Sequence, residues 1–263
     1  MALGIVLAGR RNVGALRTAA PDCAWEALIP IAGRPMAGYV VAALAGARDV
    51  QRVVVVGPGD LGQPGVTVIP PGDGISASLR LAWTEAQRAA PADEVVVAAG
   101  DAPLLSAGSV TALIEQSRRR GLAIGYPIAT RVACLASFPG VRRTYVRLRE
   151  GSFSGGNCVY LRAEAVERVL GLLERVHRDR KRPLRLARLL GWRLVWGLLS
   201  GQARLRHAED AASRLVGAPA GAWISPDPSV AVDVDSPGDL DLCRTVLTGG
   251  RPLRAGGRSP DPR

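Results

Sequence analysis

The sequence predicts a three-layer α/β/α domain around a mixed, mainly parallel sheet, with a small helical insertion. In the first half of the chain, short apolar runs alternate with segments of helical spacing. This rhythm produces parallel strands joined by right-handed crossovers. Runs such as 95–99 are continuously apolar, as expected for strands covered on both faces. With 263 residues, 48% of them hydrophobic, the chain is long enough for one such domain.

Each predicted element is an apolar or periodic run bounded by turn residues. The predicted strands are 3–8, 52–56, 66–69, 94–99, 123–128, 145–148, 157–161, 222–224 and 230–232, with a short extended piece at 27–31. The predicted helices are 36–47, 75–89, 109–119, 163–176 and 237–246. We therefore expect one domain over 1–247, a helical insertion at about 177–215, and a disordered Gly/Pro/Arg-rich tail at 248–263.

The net charge of +11 comes almost entirely from arginine, since Lys181 is the sole lysine among 34 basic residues. Much of this charge lies between 175 and 206, which favours a local role over nucleic-acid binding. An anionic small substrate, an acidic partner or a membrane surface would each account for it. Within 183–199, Arg and apolar residues interleave at helical spacing. This pattern fits a packed helix with a solvated Arg face, a helix in peripheral contact with an anionic membrane, or a helix that covers an acceptor site.

The scattered cysteines indicate reduced, buried thiols of a cytoplasmic protein. They form no Cys-x-x-Cys pair, and His177 and His207 are the only histidines, so a zinc site is not expected. The amino-terminal segment enters a strand pattern without a basic leader, so we expect no signal peptide.

The most informative motif is Gly-Asp-Ala-Pro-Leu-Leu at 100–105, directly after an apolar run. It places the carboxylate of Asp101 just past the carboxyl end of a buried strand, where open α/β sheets bind ligands. Carboxylate oxygens together with substrate phosphates are the ligands that Mg²⁺ prefers. The alternative is that Asp101 merely caps a helix or turn.

A second carboxylate pair lies near the other end of the chain, at Asp233 and Asp235. Side chains alternate along an extended segment, so these two share one face. Pro237 then suits the first turn of a helix, and Asp239 favours its amino terminus. Helix capping plus a solvated strand end is the alternative interpretation.

Three polar loops complete the candidate chemistry. The first follows the first strand and contains Gly9 and several arginines, which suit phosphate oxygens without forming a Walker A loop. An ordinary solvated turn is the alternative interpretation of this loop. The second is the Gly-rich turn at 70–79, where Ser or Asp can cap a helix. The third is the Gly/Asn segment at 150–160, for which a surface hairpin is the alternative interpretation.

Taken in order, these motifs resemble the nucleotidyltransferase superfamily with the glycosyltransferase-A-like fold. Its members include sugar-phosphate nucleotidylyltransferases and molybdenum-cofactor guanylyltransferase-like enzymes. The family opening, Leu-Ala-Gly-Gly, an Arg-containing loop and Lys-x-Leu-Leu-Pro-Ile-x-Gly-Lys-Pro-Met, is similar to 7–9 and 27–36 here. The Gly-Asp-x-Pro-Leu-Leu and Asp-x-Asp-x-Pro-x-Asp patterns match 100–105 and 233–239.

The resemblance implies a nucleotide-diphospho-sugar transferase-like fold and a Mg²⁺-dependent transfer of NMP from an NTP to a phosphorylated acceptor. It also implies roles by position. Metal ligation falls to Asp101, Asp235 and then Asp233; nucleotide binding to Leu7, Ala8, Gly9, Asp73, Gly74 and Ser76; acceptor binding to Gly156 and Asn157; and phosphate binding in catalysis to Arg10, Arg11 and Arg17. Arg142, Arg143 and Arg147 are further candidates for an acceptor phosphate.

Two positions depart from the family pattern. The second Gly of the opening is Arg10 here, and the family's Lys falls near Glu26. A carboxylate cannot replace an ammonium beside a triphosphate, so we expect an arginine to supply that cation, with Glu26 as a partner. Two other functions stay open: a glycosyltransferase using Asp233 and Asp235 with a nucleotide-sugar donor, and a degenerate, non-catalytic nucleotide-binding or interaction domain.

Overall fold

A computed structural model describes residues 1–61, 65–141, 143–179 and 182–250. Arg142 and the greater part of the predicted disordered tail, 251–263, lie outside the described residues. The strands are β1 (Ala2–Leu7), β2 (Pro30–Ile31), β3 (Arg34–Pro35), β4 (Val50–Val56), β5 (Val66–Ile69), β6 (Glu94–Ala99), β7 (Ile124–Thr130), β8 (Val146–Leu148), β9 (Gly151–Gly155), β10 (Cys158–Arg162) and β11 (Ala220–Ile224). The helices are α1 (Met36–Ala45), α2 (Gly74–Ala89), α3 (Ala107–Arg119), α4 (Arg131–Ser137), α5 (Ala163–Asp179), α6 (Pro183–Leu190), α7 (Trp192–Leu199), α8 (Leu205–Val216) and α9 (Pro237–Leu247).

The described strands form a nine-stranded mixed sheet in the order β5-β4-β1-β6-β10-β7-β9-β8, with β11 paired to β7. The first four strands of this order are parallel neighbours. Antiparallel β10 joins β6 to β7, and β11 runs parallel to β7. The predicted fold class, a mixed and mainly parallel sheet flanked by helices, is confirmed.

Alternation along the central strands explains the three layers. Leu3 and Ile5 of β1 face a cluster that includes Trp83 of α2 and Leu170 of α5. Val6 faces the opposite cluster, with residues of α1 and α3. Because both faces of the sheet are covered, the central strands are continuously apolar.

Some predicted elements are wrong in type. The predicted strand at 230–232 is a 3₁₀ turn at Pro228–Ala231, where prolines and Asp227 favour a turn over a ladder. The extended piece at 27–31 begins as a 3₁₀ turn, Glu26–Leu28, and continues as β2. A two-residue turn at Ala32 and Gly33, both with positive φ, then joins β2 to β3, as type I′ hairpins require.

The predicted insertion is helical and comprises the end of α5, then α6, α7 and α8. Leu194 of α7 and Ala211 of α8 pack with Ile128, Leu148 and Phe153 of the sheet. Within the described part of the chain, no helix combines the length and apolarity needed to cross a membrane.

All four cysteines are free, and three of them are buried. Burial raises the pKa of the Cys158 thiol to about 12, so this thiol stays protonated at neutral pH.

Candidate functional site

The candidate site begins where the neighbouring parallel strands β1 and β6 end. The Gly100 amide donates to the Leu7 carbonyl at 2.9 Å, so the two chains stay together past the last strand residues. A Cβ added to Gly100 would lie 3.0 Å from the Cα of Ala8. Glycine is needed here because the backbones approach too closely for a side chain. The next residue, Asp101, therefore emerges beside the loop that follows β1.

A single backbone hydrogen bond brings the carboxyl-terminal carboxylates to the same place. The Val234 amide donates to the Asp101 carbonyl at 2.9 Å. The carboxylates of Asp101 and Asp235 then converge on one nitrogen, the Nη1 of Arg10, at 3.8 and 2.9 Å respectively. The two principal predicted metal ligands, 134 positions apart in sequence, thus share one cationic neighbour.

Arg10 also contacts Glu26, the residue that departs from the family pattern. The loop after β1 pairs with the segment before β2: the Glu26 amide donates to the Arg10 carbonyl at 3.1 Å. The Arg10 Nε then lies 3.1 Å from Glu26 Oε2, whose side chain is only 4% exposed. This Oε2 accepts no hydrogen bond, so the pair is electrostatic. The predicted pairing of Glu26 with a loop arginine is present.

The acidic groups of this cluster are incompletely compensated. Burial raises the pKa of Asp101, and the charge of Asp235 raises it further, while Arg10 and Arg143 oppose the shift. Burial likewise raises the pKa of Glu26 against the pull of Arg10. The hydrogen bond to Asp235 raises the pKa of Arg10, so the guanidinium stays charged. One cation therefore faces three carboxylates in partly buried surroundings.

The cluster fits a hard divalent cation. Asp101 Oδ1 is buried and has no hydrogen-bond partner, and Asp235 is 59% exposed at the mouth of the site. Two carboxylates with open positions for phosphate oxygens match the ligand set that Mg²⁺ prefers. A larger cluster of three or more His, Cys, Asp or Glu side chains around one ion position is not found among the described residues.

Asp233 has a different partner from Asp235. Its carboxylate forms an ion pair with Arg143, whose side chain is 8% exposed. Arg143 also donates to the Asp233 carbonyl at 3.0 Å and lies 3.9 Å from Asp239. Asp233 and Asp235 therefore pair with different arginines, and the expectation that Asp235 is the first and Asp233 the second of these metal ligands stays a prediction.

Sequence analysis did not assign Arg143 this clamping role, and it overlooked Asn12. The Asn12 side chain is fully buried and donates to the carbonyls of Ala20 and Cys23 at 2.9 and 3.0 Å, which shapes the loop after β1. No sequence signal marks such a residue, because its partners are backbone atoms. Asp239, as expected, lies in the first turn of α9, where it forms a capping box with Ser236.

The other two loop arginines lie outside the ion cluster. The guanidinium of Arg11 stacks 3.8 Å from the ring centre of Trp25. Arg17 is exposed and reaches the Asn12 carbonyl at 3.5 Å. Neither contact neutralises the charge, so both cations remain available to an anion.

The Gly-rich turn before α2 lies directly against the first loop. A Cβ added to Gly9 would be 2.5 Å from the Cβ of Pro71. Asp73 is the N-cap residue of α2, but its side chain makes no capping hydrogen bond. The residue is exposed. Gly74 has a φ of +86°, a conformation that favours glycine. The fold thus joins two segments predicted to bind nucleotide.

The predicted acceptor segment lies on the opposite side of β6. The Asn157 carbonyl accepts from the Ala99 amide at 2.9 Å, two residues before Asp101. The Asn157 side chain donates to the Val230 carbonyl at 3.3 Å. A Cβ added to Gly156 would lie 2.8 Å from the Pro127 carbonyl oxygen, so the glycine allows tight packing. The assigned roles of all these residues stay predictions.

Comparisons with known proteins agree on the kind of domain. The profile described as a MobA-like NTP transferase domain matches residues 4–190. A hypothetical transferase from Thermus thermophilus is 37% identical, with a TM-score of 0.78, over 90% of this chain and 98% of that one. A search of curated proteins found no match.

Two more distant structures share the fold. A CMP:2-keto-3-deoxy-manno-octonic acid synthetase complexed with CTP is 15% identical, with a TM-score of 0.58, over 94% of this chain and 98% of that one. A 2-C-methyl-D-erythritol 4-phosphate cytidylyltransferase, also from Thermus thermophilus, is 17% identical, with a TM-score of 0.51, over 94% of this chain and 100% of that one.

Proposed function

Because the chain belongs to the MobA-like NTP transferase family, we propose that it transfers a nucleoside monophosphate from an NTP to a phosphorylated small molecule, such as a sugar phosphate, polyol phosphate or cofactor. Pyrophosphate is the second product. The observation that carries this proposal is the convergence of Asp101 and Asp235 on one cation at the carboxyl edge of β1 and β6. The CTP and the 4-phosphate in the names of two similar folds belong to those proteins and agree with this substrate class.

The reaction is an in-line substitution at phosphorus. An oxygen of the acceptor phosphate forms a bond to the α-phosphorus of the NTP, and the bond from that phosphorus to the bridging α–β oxygen breaks. The electron pair leaves with pyrophosphate. Since an acceptor phosphate is already anionic, no residue needs to remove a proton. Positioning and electrostatic stabilisation account for the rate.

Asp101 and Asp235 would hold Mg²⁺, with Asp233 as a more distant contributor. When bound, Mg²⁺ neutralises developing charge on the triphosphate and fixes its orientation. The unpaired Oδ1 of Asp101 is the group most in need of such a ligand.

The chain's own cations would bind the phosphates that leave. The loop after β1 contains Arg10, Arg11 and Arg17, whose guanidinium groups can hold the β and γ phosphates by charge-assisted hydrogen bonds. The backbone of Leu7, Ala8 and Gly9 would let phosphate oxygens approach closely. Arginine replaces the family's lysine in this role, and Glu26 anchors one of these arginines.

The remaining candidate residues fall into two groups, one for each substrate. Asp73, Gly74 and Ser76 would contact the base and ribose, because their segment packs against Gly9. Gly156 and Asn157 would contact the acceptor on the other side of Asp101.

The activity test is pyrophosphate release from a panel of NTPs with Mg²⁺ and mixed phosphorylated acceptors. Asp101→Asn is expected to reduce turnover at least about 100-fold, since a preorganised charge contact is lost. Asp241→Asn, which removes an exposed α9 carboxylate paired with Arg244 at 3.4 Å, is the matched control. Full activity in Asp101→Asn would refute the metal role.

A second test addresses the nucleotide loop. Gly9→Ala places a methyl group against Pro71, whereas a Cβ on Gly14 meets nothing within 4 Å. We expect Gly9→Ala to weaken NTP binding in calorimetry about tenfold or more, and Gly14→Ala to bind normally. Equal affinities would remove this loop from the nucleotide site.

The two alternatives give distinct results. Sugar transfer from a nucleotide-sugar without pyrophosphate release would identify a glycosyltransferase. Both aspartates of the Asp-x-Asp motif pair with arginines, Asp233 with Arg143 and Asp235 with Arg10, so the activity assay has to separate the two functions. Nucleotide binding without turnover on any acceptor would identify a non-catalytic domain.

A further inference from the structure

Arg10 lies beside the two carboxylates that would bind a divalent cation. Its Nη1 is the group on which Asp101 and Asp235 converge, at 3.8 and 2.9 Å. A Mg²⁺ ion bound by both carboxylates would have to lie about 2.0–2.1 Å from their oxygens. The guanidinium and the ion would be two positive charges beside the same two carboxylates, so each disfavours binding of the other.

Glu26 holds the guanidinium in this place from the other side. The ion pair between Arg10 Nε and the buried Glu26 carboxylate spans 3.1 Å. Yet the Arg10 side chain is 61% exposed, so a path to solvent, and to an anion arriving from solvent, is open. The residue has a buried inner partner and a solvent-accessible charge at the entrance.

We propose that Arg10 is a built-in competitor for the metal, which makes divalent-ion binding depend on the triphosphate. Without nucleotide, the guanidinium neutralises Asp101 and Asp235 and disfavours a second cation. The anionic oxygens of a triphosphate give Arg10 a new partner, and the carboxylates become free for the ion that arrives with it. This inference rests on the proposed function, because it presupposes that these carboxylates bind the metal.

The effect is large enough to measure. A unit positive charge within 4 Å of a carboxylate, at the effective dielectric of a protein surface, opposes a further cation by at least about tenfold in affinity. The triphosphate has to overcome this factor before the metal binds. Arg10 therefore weakens metal binding to the nucleotide-free protein. It also couples the binding of the metal to the binding of the triphosphate.

The test is Mn²⁺ titration of the full chain, with bound ion detected by enhancement of water proton relaxation. The wild type without nucleotide is expected to bind Mn²⁺ weakly. Arg10→Gln, which removes the competing charge, should bind Mn²⁺ alone at least about tenfold more tightly. Arg10→Lys retains a cation and should remain as weak as wild type. Addition of an equal mixture of the four NTPs should produce strong enhancement in the wild type.

The matched control is Arg80→Gln. Arg80 also bridges two carboxylates, Glu167 and Glu174 at 2.7 and 3.1 Å, but it joins α2 to α5 away from the site. It should leave Mn²⁺ binding unchanged. Circular dichroism of each variant establishes that it is folded.

The outcomes separate the two proposals. If wild type binds Mn²⁺ alone as tightly as Arg10→Gln, the competition is overturned and the metal site stands. If no variant binds Mn²⁺ with or without NTP, the metal role in the proposed function fails, and the competition with it. If wild type and Arg10→Gln both bind Mn²⁺ alone weakly, and NTP still recruits the ion, Arg10 is not the competitor.

Discussion

The two ends of the central strands carry arginine–carboxylate clusters that differ in how completely their carboxylates are hydrogen-bonded. At the amino end, Arg118 of α3 donates three hydrogen bonds to Glu94 at 2.6–3.0 Å and pairs with Asp49. The Tyr160 hydroxyl donates to the same Glu94 carboxylate at 2.7 Å. Burial opposes ionisation of Glu94, but these hydrogen bonds outweigh it and lower its pKa. Every charge in this cluster has a strong partner.

The carboxyl end has the reverse balance. Glu26 and Asp101 have raised pKa values, mainly through burial, and each has a carboxylate oxygen that accepts no hydrogen bond. Arginine and carboxylate side chains thus satisfy each other at the amino end of the strands, whereas carboxylates at the carboxyl end lack hydrogen-bond partners. Unsatisfied charge costs stability and persists where a ligand supplies the missing partner. The difference supports the proposed site independently of any motif.

The largest expected effect comes from breaking the satisfied end. Arg118→Ala leaves Glu94 and Asp49 without their cation. Because Arg118 is 36% exposed, the free energy of unfolding should fall by about 2 kcal/mol, less than for a fully buried pair. Urea unfolding at pH 7 measures it. Arg48→Ala is the control, because the Arg48–Glu115 pair is exposed, at 75% and 40%, and should cost less than about 1 kcal/mol. Equal losses would contradict the distinction.

The unsatisfied end should respond in the opposite direction. Asp101→Asn removes a buried, poorly compensated charge, so the free energy of unfolding should rise by about 1 kcal/mol at pH 7 even as activity is lost. Thermal and urea unfolding of the metal-free protein provide the measurement. A loss of stability in this variant would show that the carboxylate is well satisfied after all.

The pH dependence sharpens the comparison. Asp101 has a raised folded-state pKa, so wild-type stability from this group is greatest below the ordinary Asp pKa of about 4 and falls as the pH rises through the folded value. The advantage of Asp101→Asn should therefore vanish at acid pH. Glu94 has a lowered pKa, so its contribution is present above about pH 4.3 and is lost as the pH falls. Melting temperatures of Asp101→Asn, Glu94→Gln and wild type from about pH 3 to 8 would reveal these opposite slopes, and parallel slopes would refute them.

The smallest expected effect concerns one hydrogen bond at the satisfied end. Tyr160→Phe removes the hydroxyl that donates to Glu94 and should cost about 0.5 kcal/mol, because Glu94 keeps its hydrogen bonds from Arg118. In a Glu94→Gln background the cost should shrink, because the acceptor is no longer charged. A double-mutant cycle measures this coupling, and strict additivity would mean that the bond contributes nothing specific.

Sequence reasoning succeeded where one local pattern decides the structure. The bounds of β5 and β6 agree with the predictions to the residue, since apolar runs there end at strong turn signals. It missed β9, whose sequence Gly-Ser-Phe-Ser-Gly has little strand propensity and is held by pairing with β7 and β8. It also missed α4, a helix of seven residues with only Cys134 buried. Short elements fixed by neighbours leave weak sequence signals.

The sequence alone determined the alternation that sorts side chains into two helical layers and the Gly-Asp step that ends β6 at the ligand edge. Both follow from local geometry, because strand periodicity and tight turns involve only residues adjacent in the chain. Tertiary structure alone decided that Arg10 faces Asp101, Asp235 and Glu26, while Arg143 takes Asp233. A long arginine side chain can pair with any of several carboxylates that are distant in sequence. Backbone hydrogen bonds from Val234 to Asp101 and from Glu26 to Arg10 determine which carboxylates lie near.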